Sequence, residues 1–286
     1  MFHMKYYLSV IAAVVFWGSS FIATKIALGA FSPLLLCMAR FVLASVLLAT
    51  AMKAKGCSFA VPKGRDLLYI LASSLCGISI YYAIENIGLS LTSAADASVI
   101  SASYPAICAI TGVIMYKAKL SLRMMAGILL AMTGVVVMNG TAQAYGEGSL
   151  PGNLLLIFDG FMWAQYNYLT KRISPAMGDV AITFWQMLAA TVMFIPALFL
   201  EKNTLGEITS ASVFSLAYLS GFCTVAALGL YNYGLRKVNA EIAAVLMNLM
   251  PIAGLTLSVL VLHEKIAGYH VAGIAIIILG VLLSSR

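Results

Sequence analysis

Ten apolar runs, each long enough to cross a bilayer, leave this chain little sequence for anything else. They fall near 8–28, 33–52, 67–90, 94–116, 122–139, 153–171, 180–200, 211–234, 241–262 and 267–284. Crossing roughly 30 Å of hydrocarbon takes about 17–25 helical residues. Hydrocarbon offers no water to a free backbone N–H or C=O, so only helices and closed barrels span it. The runs exceed barrel strands in length and lack their alternation. An all-α integral membrane protein with ten transmembrane helices is expected. Its connections are short, so consecutive helices are antiparallel neighbours, and no loop is long enough to hold a soluble domain. Composition agrees: 62% of the 286 residues are hydrophobic and 9% charged, where soluble domains carry about a quarter. The five cysteines form no C-x-x-C, and Cys37, Cys76, Cys108 and Cys223 lie inside apolar runs as small hydrophobes. Met1 to Tyr7 leads into the first run without an A-x-A site, so that run reads as a span and not as a removable leader.

The charges set the orientation. The net charge of +7 sits in short loops between the runs, which marks a membrane face and argues against a nucleic-acid partner. One side collects Lys5, Lys53, Lys55, Lys63, Arg65, Lys117, Lys119, Arg123, Lys171, Arg172, Arg236, Lys237 and Arg286. The other holds only Lys202 and Lys265, while Lys25 and Arg40 fall within spans. Thirteen against two places both termini in the cytoplasm by the positive-inside rule. Losing one span would scramble that alternation.

The chain also repeats itself. At a constant offset of 146, Trp17, Thr24 and Lys25 meet Trp163, Thr170 and Lys171. Asn86, Gly88 and Leu89 meet Asn232, Gly234 and Leu235, and Pro105 meets Pro251. Ala126-Gly127-Ile128 with Gly134-Val135 meets Ala272-Gly273-Ile274 with Gly280-Val281. Of 140 aligned positions 24 are identical, clustered on Trp, Lys, Asn, Pro and Gly. Two units follow, 1–140 and 147–286. Five spans is an odd number, so the second unit enters the membrane upside down. Inverted repeats are the recurring architecture of secondary transporters, although some channels carry them too.

The residues from Trp17 to Lys25 (W-G-S-S-F-I-A-T-K), Arg40, the run Ala95 to Pro105 and the A-G-I…G-V ending of each half resemble the drug/metabolite transporter superfamily. The resemblance covers essentially the whole chain and is closest to the EamA-type ten-helix exporters, including amino-acid exporters of the YddG type. It implies two five-helix units and export of small metabolites, with cationic or amphipathic drugs as the alternative cargo. One departure stands out: His263-Glu264-Lys265 of the second half faces Lys117-Ala118-Lys119 in the first, which lacks the glutamate.

Within a span, each polar side chain needs a partner or a water-filled cavity. Trp17, Ser20, Phe21, Thr24 and Lys25 share one helical face, and Trp163, Tyr166, Asn167, Thr170 and Lys171 repeat that spacing. These stripes are expected to face each other across a solvated central hollow, with belt anchoring or snorkelling as the alternatives for the tryptophans and lysines. Ser79, Tyr82 and Asn86, then Tyr231 and Asn232, then Ser101 and Asn248 are further candidate substrate contacts. Pro105 and Pro251 each free a carbonyl four residues earlier, at Ser101 and Met247, giving a hinge, a cation ligand or a packed kink. Arg40 is a carboxylate anchor or the partner of Glu85 or Asp159. Met247 and Met250 are an adaptable wall or packing. Gly127, Gly134, Gly273 and Gly280 read as close helix contacts.

Aromatic rings, hydroxyls and amides with few fixed charges suit a small zwitterionic solute. A phosphorylated cargo calls for clustered arginines and lysines that are absent here. Neither a P-loop nor an intramembrane catalytic constellation is present, and no cofactor or metal is expected. Glu85 and Asp159 are the carboxylates within spans; either can carry a proton, and a downhill carrier works equally well. The expected partners are a small-molecule substrate and the bilayer, with oligomeric state left open and compatible with a monomer.

Overall fold

A computed structural model describes residues 4–91, 100–101, 103–139, 150–200, 202, 205–250, 252–253 and 268–284, excepting the side chains of 21, 25, 138, 139 and 270. The expected features at Pro251, Glu264 and Lys265, and at the side chains of Phe21 and Lys25, lie outside these. The described helices occupy parts of all ten runs. They are α1 (Met4–Leu28), α2 (Pro33–Ala54), α3 (Gly64–Leu91), α4 (Tyr104–Tyr116), α5 (Leu122–Asn139), α6 (Leu150–Thr170), α7 (Asp179–Phe199), α8 (Ser210–Leu235), α9 (Ala240–Leu249) and α10 (Gly268–Ser284). Of these, α1, α2, α3, α7 and α8 are each long and apolar enough to cross a membrane. Large apolar side chains such as Leu122, Phe199, Leu129 and Phe214 point outward. On a water-facing protein so wide an apolar surface would aggregate; here it is the face offered to lipid.

The contacts between helices come in reciprocal pairs. α1 packs on α8 as α6 packs on α3, and α4 meets α6 as α9 meets α1. α2 packs on its own mate α7, and α5 on its mate α10. At atomic level Ser45 Oγ lies 3.1 Å from Thr191 Oγ1, and these residues are 146 apart. Trp17 and Trp163, also 146 apart, meet edge to face at 5.2 Å between ring centres. A residue can touch its own counterpart only beside a twofold axis. Asn86 Nδ2 donates to Cys37 Sγ at 3.0 Å, and the counterpart bond runs from Asn232 Nδ2 to Thr183 Oγ1 at 3.1 Å.

The α5–α10 seam follows the same rule. A Cβ on Gly280 would stand 2.4 Å from Ala131 N and 2.7 Å from Gly127 O. A Cβ on Gly134 would stand 2.6 Å from Ile277 N and 2.9 Å from Gly273 O. These two encounters are twofold images of each other. Lipid offers no hydrophobic drive for helices to associate, so close backbone approach supplies the attraction, and only glycine permits it here.

Two departures from regular α-helix recur in both halves. π-helical segments run from Leu75 to Ile80 in α3 and from Leu219 to Ala226 in α8, ending at equivalent positions. In the fourth span α4 starts at Tyr104, after a turn at Ser103. Ser103 donates both N–H and Oγ to Ile100 O, at 2.9 and 2.6 Å, and Pro105 sits in the first turn of α4, where its missing N–H costs nothing. The 3-10 turn Met247–Leu249 occupies the positions equivalent to this turn.

Replacing Gly280 or Gly134 with valine is expected to lower stability by about 1–3 kcal/mol each, the usual cost of overpacking. Thermal unfolding of the purified protein in detergent reads this. A valine variant melting with the wild type would show that the seam is not close-packed.

Candidate functional site

The tryptophan pair sits at the centre of an aromatic cluster that joins the halves. Tyr231 lies 5.0 Å from Trp17 and 5.3 Å from Trp163, and Tyr81 lies 5.1 Å from Trp163. Trp17 Nε1 donates to Cys223 O at 2.9 Å, a carbonyl within the π-helical stretch of α8. The same stretch holds Arg40: its Nε donates to Thr224 Oγ1 at 2.5 Å, while Thr224 donates to Leu219 O, five residues back. Arg40 also lies over the Tyr82 ring at 4.3 Å. The expected pairing of Arg40 with Glu85 or Asp159 is not formed; among the described residues the one ion pair within reach joins Arg236 to Asp179.

Two adjoining compartments open beside this cluster. Trp17, Ser20, Arg40, Tyr82 and Trp163 line the first, and Leu89, Ser101, Tyr104 and Leu156 the second. Tyr81, Glu85, Met247 and Met250 are common to both. Each has a volume of about 10 Å³, close to the least space that holds one water. The expected solvated hollow is therefore closed in this conformation, because the aromatic rings interlock across the axis. A polar lining that holds Arg40 and Glu85 distinguishes it from a merely greasy core.

Of the residues singled out from sequence, Trp17, Ser20, Tyr82, Ser101, Trp163, Arg40 and Glu85 line these compartments, and Tyr231 packs against the tryptophans. Others lie elsewhere. Tyr166 Oη donates to Asn232 Oδ1 at 2.7 Å and to Gln186 Oε1 at 3.3 Å. Asn232 in turn donates to Gln186 Oε1 at 3.0 Å, and Gln186 Nε2 donates to Ser73 and Thr170, each at 2.9 Å. This network knits α3, α6, α7 and α8 together. Tyr231 Oη donates to Asn167 Oδ1 at 2.8 Å, Ser79 Oγ to Ala190 O at 3.2 Å, and Asn86 Nδ2 to Pro33 O at 3.2 Å. Lys171 Nζ donates to Leu235 O at 2.8 Å and Val238 O at 2.6 Å, meeting the negative end of α8. Thr24 and Asn248 are buried away from the lining, and the Asn248 amide has no hydrogen-bond partner among the described residues. Asp159 lies behind the second compartment, where it accepts from Tyr104 Oη at 3.0 Å.

Helical spacing did not single out Tyr81, Tyr104 or Thr224. Tyr81 is adjacent to Tyr82 and Tyr104 to Pro105, which are the only signals they leave.

Two bundles related by a twofold meet at a closed polar cavity between membrane-spanning helices. The chain belongs to the EamA-like transporter family, whose model matches residues 4–140 and again 150–286. Its family and relatives are transporters and not enzymes. It is 30% identical to an "Uncharacterized transporter" of Archaeoglobus fulgidus, across 98% of this chain and 97% of the relative. It is 26% identical to a "Probable amino-acid metabolite efflux pump" of Salmonella typhimurium, across 95% and 91%. A solved crystal structure shares the fold with a TM-score of 0.83 at 19% identity, across 99% of this chain and 97% of the other.

Substituting leucine for Gln186 strands the partners of four hydrogen bonds. A buried group left unpaired costs about 1–3 kcal/mol. The expected outcome is a lower unfolding temperature with an unchanged KM for transport. A KM shift at unchanged stability would instead put Gln186 in contact with substrate.

Proposed function

We propose that this protein exports small zwitterionic metabolites, amino acids including aromatic ones, across the cytoplasmic (inner) membrane by alternating access. The observation that carries this reading is one compartment lined at once by a guanidinium, Arg40, and a carboxylate, Glu85, among aromatic rings. A zwitterion offers the complementary pair of charges. Thr224 and Tyr82 hold the guanidinium without neutralising it, leaving further N–H donors for a substrate carboxylate. Two relatives named "Probable amino-acid metabolite efflux pump" point the same way. So does the lack of the clustered arginines that a phosphorylated cargo needs.

In this reading the units 1–140 and 147–286 rock against each other about the tryptophan pair. The cytoplasm holds both termini, as the basic loops indicate. At about 10 Å³ the compartment admits no amino acid, so loading requires the halves to part on one side while the other stays shut. Exchange of conformation between inverted halves produces that alternation. Trp17, Ser20, Tyr82, Trp163 and Tyr231 are the proposed side-chain contacts. Met247 and Met250 form a wall that adapts to varied cargo. Pro105 is the proposed hinge, with Pro251 as its counterpart.

Purified protein in liposomes loaded with unlabelled amino acid is expected to show saturable counterflow of labelled amino acid. Trp163→Ala cuts that flux while folded protein remains in the membrane. Arg40→Gln raises KM by about ten- to a hundredfold, the value of a hydrogen bond to a charged group. Competition by organic cations but not by amino acids would hand the cavity to drug export. Flux linear in gradient would make the protein a channel.

A further inference from the structure

Asp159 is buried and Glu85 half-buried on the facing helices α6 and α3, with no lysine, arginine or histidine in ion-pair distance among the described residues. Each is approached by a tyrosine. Tyr81 Oη donates to Glu85 Oε1 at 3.0 Å, and Tyr104 Oη to Asp159 Oδ2 at 3.0 Å. Both tyrosines line the second compartment. Asp159 is 0% exposed and its Oδ1 has no hydrogen-bond partner among the described residues. Glu85 and Tyr104, the partner of Asp159, line the same second compartment, and Arg40 shares only the first compartment with Glu85. Of the other helices at the cavity, α1 brings Trp17 and Ser20, and α9 brings Met247 and Met250, none of which titrates. Two negative charges in so narrow a space are not both balanced by one guanidinium that forms an ion pair with neither.

We propose that Glu85 and Asp159 together hold one exchangeable proton when the cavity is empty, and that a substrate ammonium displaces it. This rests on the reading of the cavity as a zwitterion site. The step is a proton transfer: a carboxyl O–H bond breaks, the proton passes to water in the opened compartment, and the ammonium replaces its positive charge beside the pair. The proton entering from outside reverses the step and expels the cargo. Transport is then exchange of a neutral zwitterion for a proton, moving one positive charge inward per molecule exported. The orphaned Asp159 oxygen and the Tyr104 hydroxyl give the proton a place set back from the substrate itself.

Proteoliposomes under a potassium–valinomycin clamp test this. An acid interior is expected to drive wild-type uptake of labelled amino acid above equilibrium, and a protonophore to abolish it. Asp159→Asn keeps counterflow and loses gradient-driven accumulation. Counterflow in the wild type without response to the pH gradient overturns the proposal, and so does an Asp159→Asn variant that accumulates like the wild type. If no amino acid supports counterflow, the amino-acid reading falls, and the proton site is judged without substrate by infrared spectroscopy. A protonated-carboxyl C=O band that Asp159→Asn or Glu85→Gln removes sustains it; no such band in the wild type overturns it. Should Asp159→Asn fail to fold, Tyr104→Phe serves, because loss of its hydroxyl must shift that same band. An unmoved band counts against the site.

Discussion

A polar group facing hydrocarbon has nothing to bond to, and this one constraint orders the whole molecule. Lipid-facing positions are given over to Leu, Ile, Val and Phe, and polar side chains are driven onto the surfaces where helices meet. Helix faces that meet about a twofold then bring like against like, so Ser45 finds Thr191 and Trp17 finds Trp163. Without a hydrophobic drive in lipid, cohesion comes from such contacts and from the glycine-cleared α5–α10 seam. The polar groups that remain divide into a sealed network around Gln186, which is fully bonded, and a cavity around Arg40 and Glu85, which is not.

That division separates what holds the fold from what can change. The Gln186 network satisfies its members with neutral partners, and it ties one half to the other. The counterpart position in the first half is Arg40, which keeps its charge and leans on Thr224 and Tyr82. The duplicated framework thus places a neutral, bonded network at one of the two positions and a charged cavity lining at the other. The π-helical segment of α8 serves the second. Within Leu219–Ala226 the Cys223 carbonyl accepts from Trp17 and the Thr224 hydroxyl accepts from Arg40.

Much of the architecture was legible in the sequence, because it follows from patterns that hold along whole spans. Run length, basic loops and the constant offset of 146 are insensitive to local detail, and Trp17 and Trp163, which that offset pairs, do meet. The site was legible where helices stay regular, as along α1 at Trp17 and Ser20. It was less legible within a π-helical segment, where i to i+5 bonding turns side chains off the α-helical face. Ser79, Tyr82 and Asn86 share a face by α-helical spacing, yet Ser79 sits within Leu75–Ile80, and the three diverge to Ala190, Arg40 and Cys37. Tyr81, outside that spacing, reaches the cavity beside Tyr82. Cavity volume was illegible too, since periodicity says which residues face each other but not how closely their rings interlock.

The central claim is that the two halves part alternately about the tryptophan pair. Spin-label distances test it most directly, in a background without the native cysteines. One label pair sits at Lys55 and Arg236, and the other at Ser32 and Lys202 on the opposite face. The account requires that amino acid and pH shift the two distances in opposite senses, one lengthening as the other shortens. Distances that grow together, or that never change, would contradict it.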